Sequence, residues 1–282
     1  MSRIDELFTF PVKKTTSNWK EIVQKQHCRY SNKRCFKVRK SESSISIGTC
    51  TVQYGKEHKS VIICPHRLLE RKQIFLDCLH LLTSHTPGNE LHLIPEVQIP
   101  GGNVDYFLVS TDSNRKVKDF VGIELQTMDT TGSVWSEREL ALQEIGLEEK
   151  KTCETKSFGM NWKMTAKTIL VQLHHKIETF ENLNKHLVLV VQDCLLDYIK
   201  KEFSFEHLSS TPLIGDSMHI HSYSLKKNGN FLKLVLDSRY STDSNGIAKL
   251  LGLNAKANMD FEEIAKILEA KISDTTIFSI GE

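Results

Sequence analysis

The run "HLVLVVQD" at His186–Asp193 is the most restrictive stretch in the chain, because leucines and valines follow one another there without alternation. A segment of that length and composition reads as a strand covered on both faces, and such strands sit inside parallel or mixed sheets flanked by helices. The stretch before it agrees. Trp162, Ala166, Ile169, Leu170, Leu173, Ile177 and Phe180 recur every three or four positions from Trp162 to Leu183, the stripe of a helix that packs on a sheet. The expected fold class is α/β, a mixed α/β core.

The rest of the chain is organised around that unit. With 282 residues, 39% of them hydrophobic, it can bury one large core or two smaller ones. No run approaches the roughly 18 apolar residues of a membrane span, and "MSRIDELFTF" lacks the basic flank and apolar core of a signal peptide. The expectation is a cytoplasmic protein without a membrane partner, its seven cysteines reduced. A short helix is expected over Ser17–Gln26, then a cysteine-rich, basic region to Cys64. Pro65 should open an amphipathic helix with Leu68, Leu69, Phe75, Leu76, Leu79 and Leu82 on its apolar side. Ser84–Glu90 is rich in turn residues and marks a boundary. Near the end, His219–Tyr240 reads as a hairpin turning at Asn228-Gly229. Two short helices follow, the last opened by Asp260 with Glu263 three residues on.

Two further strands, Val104–Ser110 and Phe120–Gln126, carry acidic residues where apolar ones are usual. Alternation puts Val121, Ile123 and Leu125 on one face and Phe120, Gly122, Glu124 and Gln126 on the other. An antiparallel hairpin centred near Asn114–Arg115 sets Asp105 opposite Glu124, about 5 Å away at Cβ. Carboxylates that close repel unless one is protonated or a cation lies between them. Two readings follow. Either both groups meet solvent at strand ends, or a divalent ion with a taste for hard oxygens, usually Mg²⁺, lies between them.

Asp105 followed by Glu124-Leu125-Gln126 resembles the signature of PD-(D/E)xK nucleases, with glutamine in place of the usual lysine. The wider text, "PEVQIPGGNVDYFLVS" and "DFVGIELQTMDTTGSVW", is similar to the NotI-type restriction endonucleases, in which glutamine is also found there. The resemblance covers roughly Cys28 to Asp193. It implies a PD-(D/E)xK nuclease core, an α+β mixed sheet flanked by helices, in which Asp105 and Glu124 at one edge bind Mg²⁺ against a DNA phosphate, Gln126 positions the attacking water, and Glu96 is a further ligand candidate. It also implies a type II restriction endonuclease cutting double-stranded DNA at a palindromic site, acting as a homodimer, with a companion DNA methyltransferase protecting the host. Rival readings are a PD-(D/E)xK nuclease of another role, such as repair, and a non-cutting DNA-binding protein folded around a metal. Asp129 and Trp135 of "TMDTTGSVW" would shape the groove beside the active site.

Cys28, Cys35, Cys50 and Cys64 form a C-x6-C-x14-C-x13-C series. Cysteines are often small buried hydrophobes, which suits Cys78, Cys153 and Cys194. The first four lie in a segment without an evident core, and four thiolates suit tetrahedral zinc or iron. The resemblance implies iron; the spacing does not separate it from zinc. Such a module would present Lys33, Arg34, Lys37 and Arg39 to the DNA backbone. Net charge is only +2, so this local run rather than the whole chain points to nucleic acid. The implied division is an N-terminal helix and four-cysteine metal-binding module (1–85), a nuclease core (86–200), and a C-terminal appendage for DNA recognition or dimerisation (201–282). His174-His175 and the pair His219 and His221 have no neighbouring ligand in sequence and read as ordinary, partly exposed histidines.

Overall fold

A computed structural model of the chain describes residues 1–13, 18–147, 158–253 and 261–271. The N-terminal part contains strands β1 (Ile4–Leu7) and β2 (Phe10–Pro11), helix α1 (Trp19–Lys25), two small hairpins, β3 (His27–Cys28) with β4 (Lys33–Arg34) and β5 (Val38–Arg39) with β6 (Glu42–Ser46), and strands β7 (Thr49–Tyr54) and β8 (Lys59–Ile62). β2, β1, β7 and β8 form a four-stranded sheet in that order.

The expected helix from Pro65 does not form as one piece. It is a 3₁₀ segment, Pro65–Lys72, then α2 (Gln73–Leu76), then a second 3₁₀ turn at Leu79–Leu81. The break lies at Glu70, with ψ of 120°, and at Arg71 and Lys72, which take positive φ. Buried Arg67 supplies the reason. Glu70 accepts from Arg67 at 2.8 Å and from the Leu234 amide at 2.7 Å, and reaching both partners takes it out of helical geometry.

A six-stranded sheet dominates the molecule, in the order β16-β15-β14-β11-β10-β9. Its strands are β9 (Glu90–Ile99), β10 (Gly102–Thr111), β11 (Val117–Gln126), β14 (His186–Gln192), β15 (Met218–Asn228) and β16 (Phe231–Thr242). Between β11 and β14 lie a small ladder of β12 (Thr130–Thr131) with β13 (Gly159–Met160), helix α3 (Trp135–Glu144) and the long helix α4 (Trp162–Asn182). Helix α5 (Asp193–Glu202) links β14 to β15, and α6 (Ser244–Leu250) and α7 (Phe261–Glu269) end the described chain. β9, β10 and β11 form an antiparallel meander; β11, β14 and β15 run parallel; β16 is antiparallel again. The sheet is therefore mixed, and all seven residues of β14 are buried, as its uninterrupted apolar text requires.

One face of the sheet packs on α4, α5 and α6 through Phe107, Leu187, Leu189, Ile169, Leu173, Ile177 and Phe180. The other buries Leu108, Val121, Ile123, Val188, Val190 and Tyr223 against the broken 65–82 segment. His219 and His221 belong to this second interior, at 1% and 0% exposure, so the expectation of partial exposure is wrong for them. Burial pushes both imidazoles down, to about 4 and about 3, which keeps them neutral. The β15–β16 hairpin closes with Asn228 paired to Phe231, so its two-residue loop is Gly229-Asn230, one position later than the sequence suggests. Asp260 and Cys153 lie outside the described residues. Among the described residues, no helix is long and apolar enough to cross a membrane.

Candidate active site

The β9–β10 turn has Pro100 and Gly101 as its loop residues, closed by the pair Ile99–Gly102. Gly101 takes φ of +93°, and a Cβ there would lie 2.0 Å from the His175 carbonyl oxygen of α4. Only glycine lets this turn meet the helix so closely. The contact aligns α4 with the ends of β10 and β11.

Those ends hold the acidic residues. The β10–β11 register pairs Tyr106 with Ile123 and Leu108 with Val121, so one further step brings Asp105 level with Glu124. The backbone ladder stops at that point. Asp105 Oδ2 instead accepts the Leu125 N–H at 2.7 Å, so its carboxylate takes over where a main-chain acceptor would stand. On the other side, β9 pairs Val97 with Val104 and Pro95 with Tyr106, which sets Glu96 level with Asp105. Glu96 takes φ of +52°, an irregular conformation inside a strand. Three acidic residues thus lie at one level on three neighbouring strands.

Helix α4 contributes a residue that no sequence motif marks. Lys176 Nζ donates to Glu124 Oε1 at 2.7 Å and to the Asn103 carbonyl at 2.5 Å. Both side chains of the ion pair are 5% exposed. The available signal was a charged residue on an apolar stripe, three positions after Leu173 and beside Ile177. Burial pushes Glu124 up to about 7, and the Asp105 carboxylate adds to the rise, while the hydrogen bond from Lys176 opposes it. Asp105 is also raised, mainly by burial and further by Glu96, against the pull of the Leu125 amide and Lys176. Gln126 is half-buried and its amide nitrogen donates to the Thr127 carbonyl at 2.7 Å. Asp105, Glu124, Gln126 and Lys176 all line one open cleft of about 350 Å³. Among the described residues, no three His, Cys, Asp or Glu side chains are grouped to hold a metal ion, here or elsewhere. In this arrangement the cation beside Glu124 is Lys176.

Cys28, Cys35, Cys50 and Cys64 are all buried. Cys50 interacts with Cys64, and Cys28 with His66. The bond with Cys50 pulls the Cys64 thiol down to about 6, against burial and with help from Lys37. Burial works against the charged form of Cys28, yet hydrogen bonds from His66 and Ser31 hold its pKa below the ordinary thiol value. Cys35 is raised, chiefly by burial.

The basic run divides in two. Arg34 donates to Gln26 Oε1 and to the Ser43 and Ser44 carbonyls, so its guanidinium is engaged inside the module, while Lys33 is exposed. Lys37, Arg39 and Lys40 line a second cavity of about 920 Å³ together with Asp129, Trp135 and Asn161. The Arg39 and Arg138 guanidiniums lie 4.4 Å and 4.6 Å from the centre of the Trp135 ring. Asp129 follows Gln126 by three residues, so this cavity begins where the catalytic strand candidate ends.

The chain is similar to SfsA of Pyrococcus furiosus, solved in complex with Ca²⁺, at 12% identity over 69% of this chain and 71% of that one, with a TM-score of 0.31. No curated protein matches the sequence. A family model described as restriction endonuclease NotI matches residues 19–215, a span that contains the acidic strands, α4, the four cysteines and the basic run. The chain belongs to the NotI restriction endonuclease family.

Proposed function

We propose that this protein is a type II restriction endonuclease that hydrolyses double-stranded DNA at a specific palindromic site with Mg²⁺. The observation that carries the reading is the level placement of Glu96, Asp105 and Glu124 on three adjacent strands beside an open cleft, in a member of a restriction endonuclease family. Carboxylate oxygens are the donors Mg²⁺ takes. Asp105 and Glu124 would hold the ion, with Glu96 as the third candidate. When bound, a divalent metal supplies a Lewis acid that lowers the pKa of water and offsets charge on phosphate oxygens.

The chain's own residues do the positioning. The Leu125 amide fixes Asp105, and Gln126 lines the cleft where it can orient a water through hydrogen bonds without adding charge. The mixed sheet with α4 and α5 would be the PD-(D/E)xK core (86–200), preceded by the metal-binding module (1–85) and followed by a recognition or dimerisation appendage (201–282). Cys28, Cys35, Cys50 and Cys64, all buried and two of them with lowered pKa, would hold iron or zinc. The folded hairpins would then present Lys37, Arg39 and Lys40, with Lys33, to DNA phosphates beside Trp135. A homodimer matches a palindromic site and cuts both strands, and a companion methyltransferase would protect host DNA.

Incubating the protein with plasmid and Mg²⁺ tests the reading. Discrete fragments are expected, and Glu124→Ala should abolish cutting while specific binding in Ca²⁺ persists. A smear, intact plasmid with both Mg²⁺ and Mn²⁺, or cleavage by Glu124→Ala would refute it.

A further inference from the structure

Lys176 lies on the core-facing side of α4, where its neighbours Leu173, Ile177 and Phe180 are all buried. Taking an ammonium out of water is unfavourable unless it is paired and hydrogen-bonded. A lysine at this place therefore asks for a reason that leucine or methionine would not meet. Its contacts supply one. The Nζ bridges the Asn103 carbonyl on β10 and the Glu124 carboxylate on β11, at the level where the backbone ladder between these strands gives way to Asp105. It opens onto the same cleft as Asp105 and Gln126. The turn is fitted to the lysine stem as well as to the helix, since a Cβ on Gly102 would lie 3.1 Å from Lys176 Cε.

We propose that Lys176 is a catalytic residue of this site, delivering from α4 the positive charge that Gln126 does not carry. The proposal rests on the nuclease reading above. In the hydrolysis, the water oxygen forms a new bond to phosphorus as the bond from phosphorus to the leaving sugar oxygen breaks. The leaving oxygen gains a proton, and the attacking water gives one up to solvent. Negative charge develops on the water oxygen as its proton departs and passes to the non-bridging and leaving oxygens as the new bond forms, and an ammonium held at the cleft wall stabilises it there. Before metal and DNA arrive, the same group offsets the charge of Glu124. Lysine two residues after the glutamate would do this from the strand; here the charge comes from a helix that packs across it.

The test compares wild type, Lys176→Met, and Lys176→Met combined with Gln126→Lys. Single-turnover cleavage in Mg²⁺ is measured beside DNA binding in Ca²⁺ and calorimetric Ca²⁺ binding to the free protein. Lys176→Met should slow cleavage by about 10²-fold or more, with DNA affinity within roughly threefold and Ca²⁺ binding undiminished. Adding Gln126→Lys should recover about tenfold or more of the lost rate, which a merely structural role for Lys176 does not allow. If Lys176→Met does not fold, Lys176→Gln, which keeps a hydrogen-bond donor without the charge, carries the same expectations. Cleavage by the single variant within roughly threefold of wild type, or no recovery in the double variant, overturns the proposal. Inactive wild type is a different outcome: it refutes the nuclease reading itself.

Discussion

Glu124 stands between neighbours of opposite sign, with Asp105 level with it across the strand pair and Lys176 above it from the helix. Its carboxyl is raised from 4.5 to about 7, first by burial. A proton held in the folded state above the ordinary value means that this group stabilises the fold fully below about 4.5, and that the contribution is lost as pH rises through about 7. Cation binding runs the other way, because a ligand carboxylate must be ionised. Calorimetric Ca²⁺ affinity should therefore be about tenfold tighter at pH 8 than at pH 6, with protons released on binding below pH 7, and Glu124→Gln should flatten the profile. A pH-independent affinity would remove Glu124 from the cation site. Asp105 and Glu124 were legible in the sequence because strand alternation and one turn centre determine which residues face each other. Lys176 was not, since a contact between a helix and a strand far apart in the chain leaves no local period. Its only trace is a charge on an apolar stripe. The left-handed backbone of Glu96 has no signature at all, because glycine is absent there.

The hairpins β3–β4, which carries Cys28, and β5–β6, which follows Cys35, are too short to stand alone. β3, β4 and β5 have two residues each, and two-stranded hairpins are marginal in water even when longer. If iron or zinc joins Cys28, Cys35, Cys50 and Cys64, their folding depends on it. Elemental analysis of the purified protein should find about one iron or zinc per chain, the number a single four-thiolate site binds. Chelation should lower the thermal midpoint and weaken DNA binding together. Metal-free protein with unchanged stability would return these cysteines to ordinary core residues. The element that sequence periodicity misjudged lies just beyond. The stripe from Leu68 to Leu82 is real, and most of it is buried, but it is carried by 3₁₀ turns and one short helix rather than by a single α-helix.

Arg67 also operates at the scale of the molecule. It is fully buried, bonded to Glu6 of β1 at 2.7 Å, to Glu70, and to the Leu232 carbonyl of β16 at 2.8 Å, so one guanidinium ties the small sheet to the large one. Glu6 is 3% exposed. Arg67→Met should strand that carboxylate in the interior and cost about 3–5 kcal/mol of unfolding free energy. Most of the loss should return in Arg67→Met with Glu6→Gln, as read from urea denaturation. A cost under about 1 kcal/mol for the single change would show the two sheets to be held by apolar packing alone.

The order of the strands along the chain has one more consequence. β9, β10 and β11 pair by short hairpins and are complete before α4 is made, whereas β11 meets β14 only through a crossover that includes α4. A chain still leaving the ribosome can thus gather its acidic residues well before the lysine arrives. Under the reading proposed here, an unfinished molecule carries half a blade: the capacity to break a genome arrives with the docking of one helix, after the scaffold that aims it has begun to close.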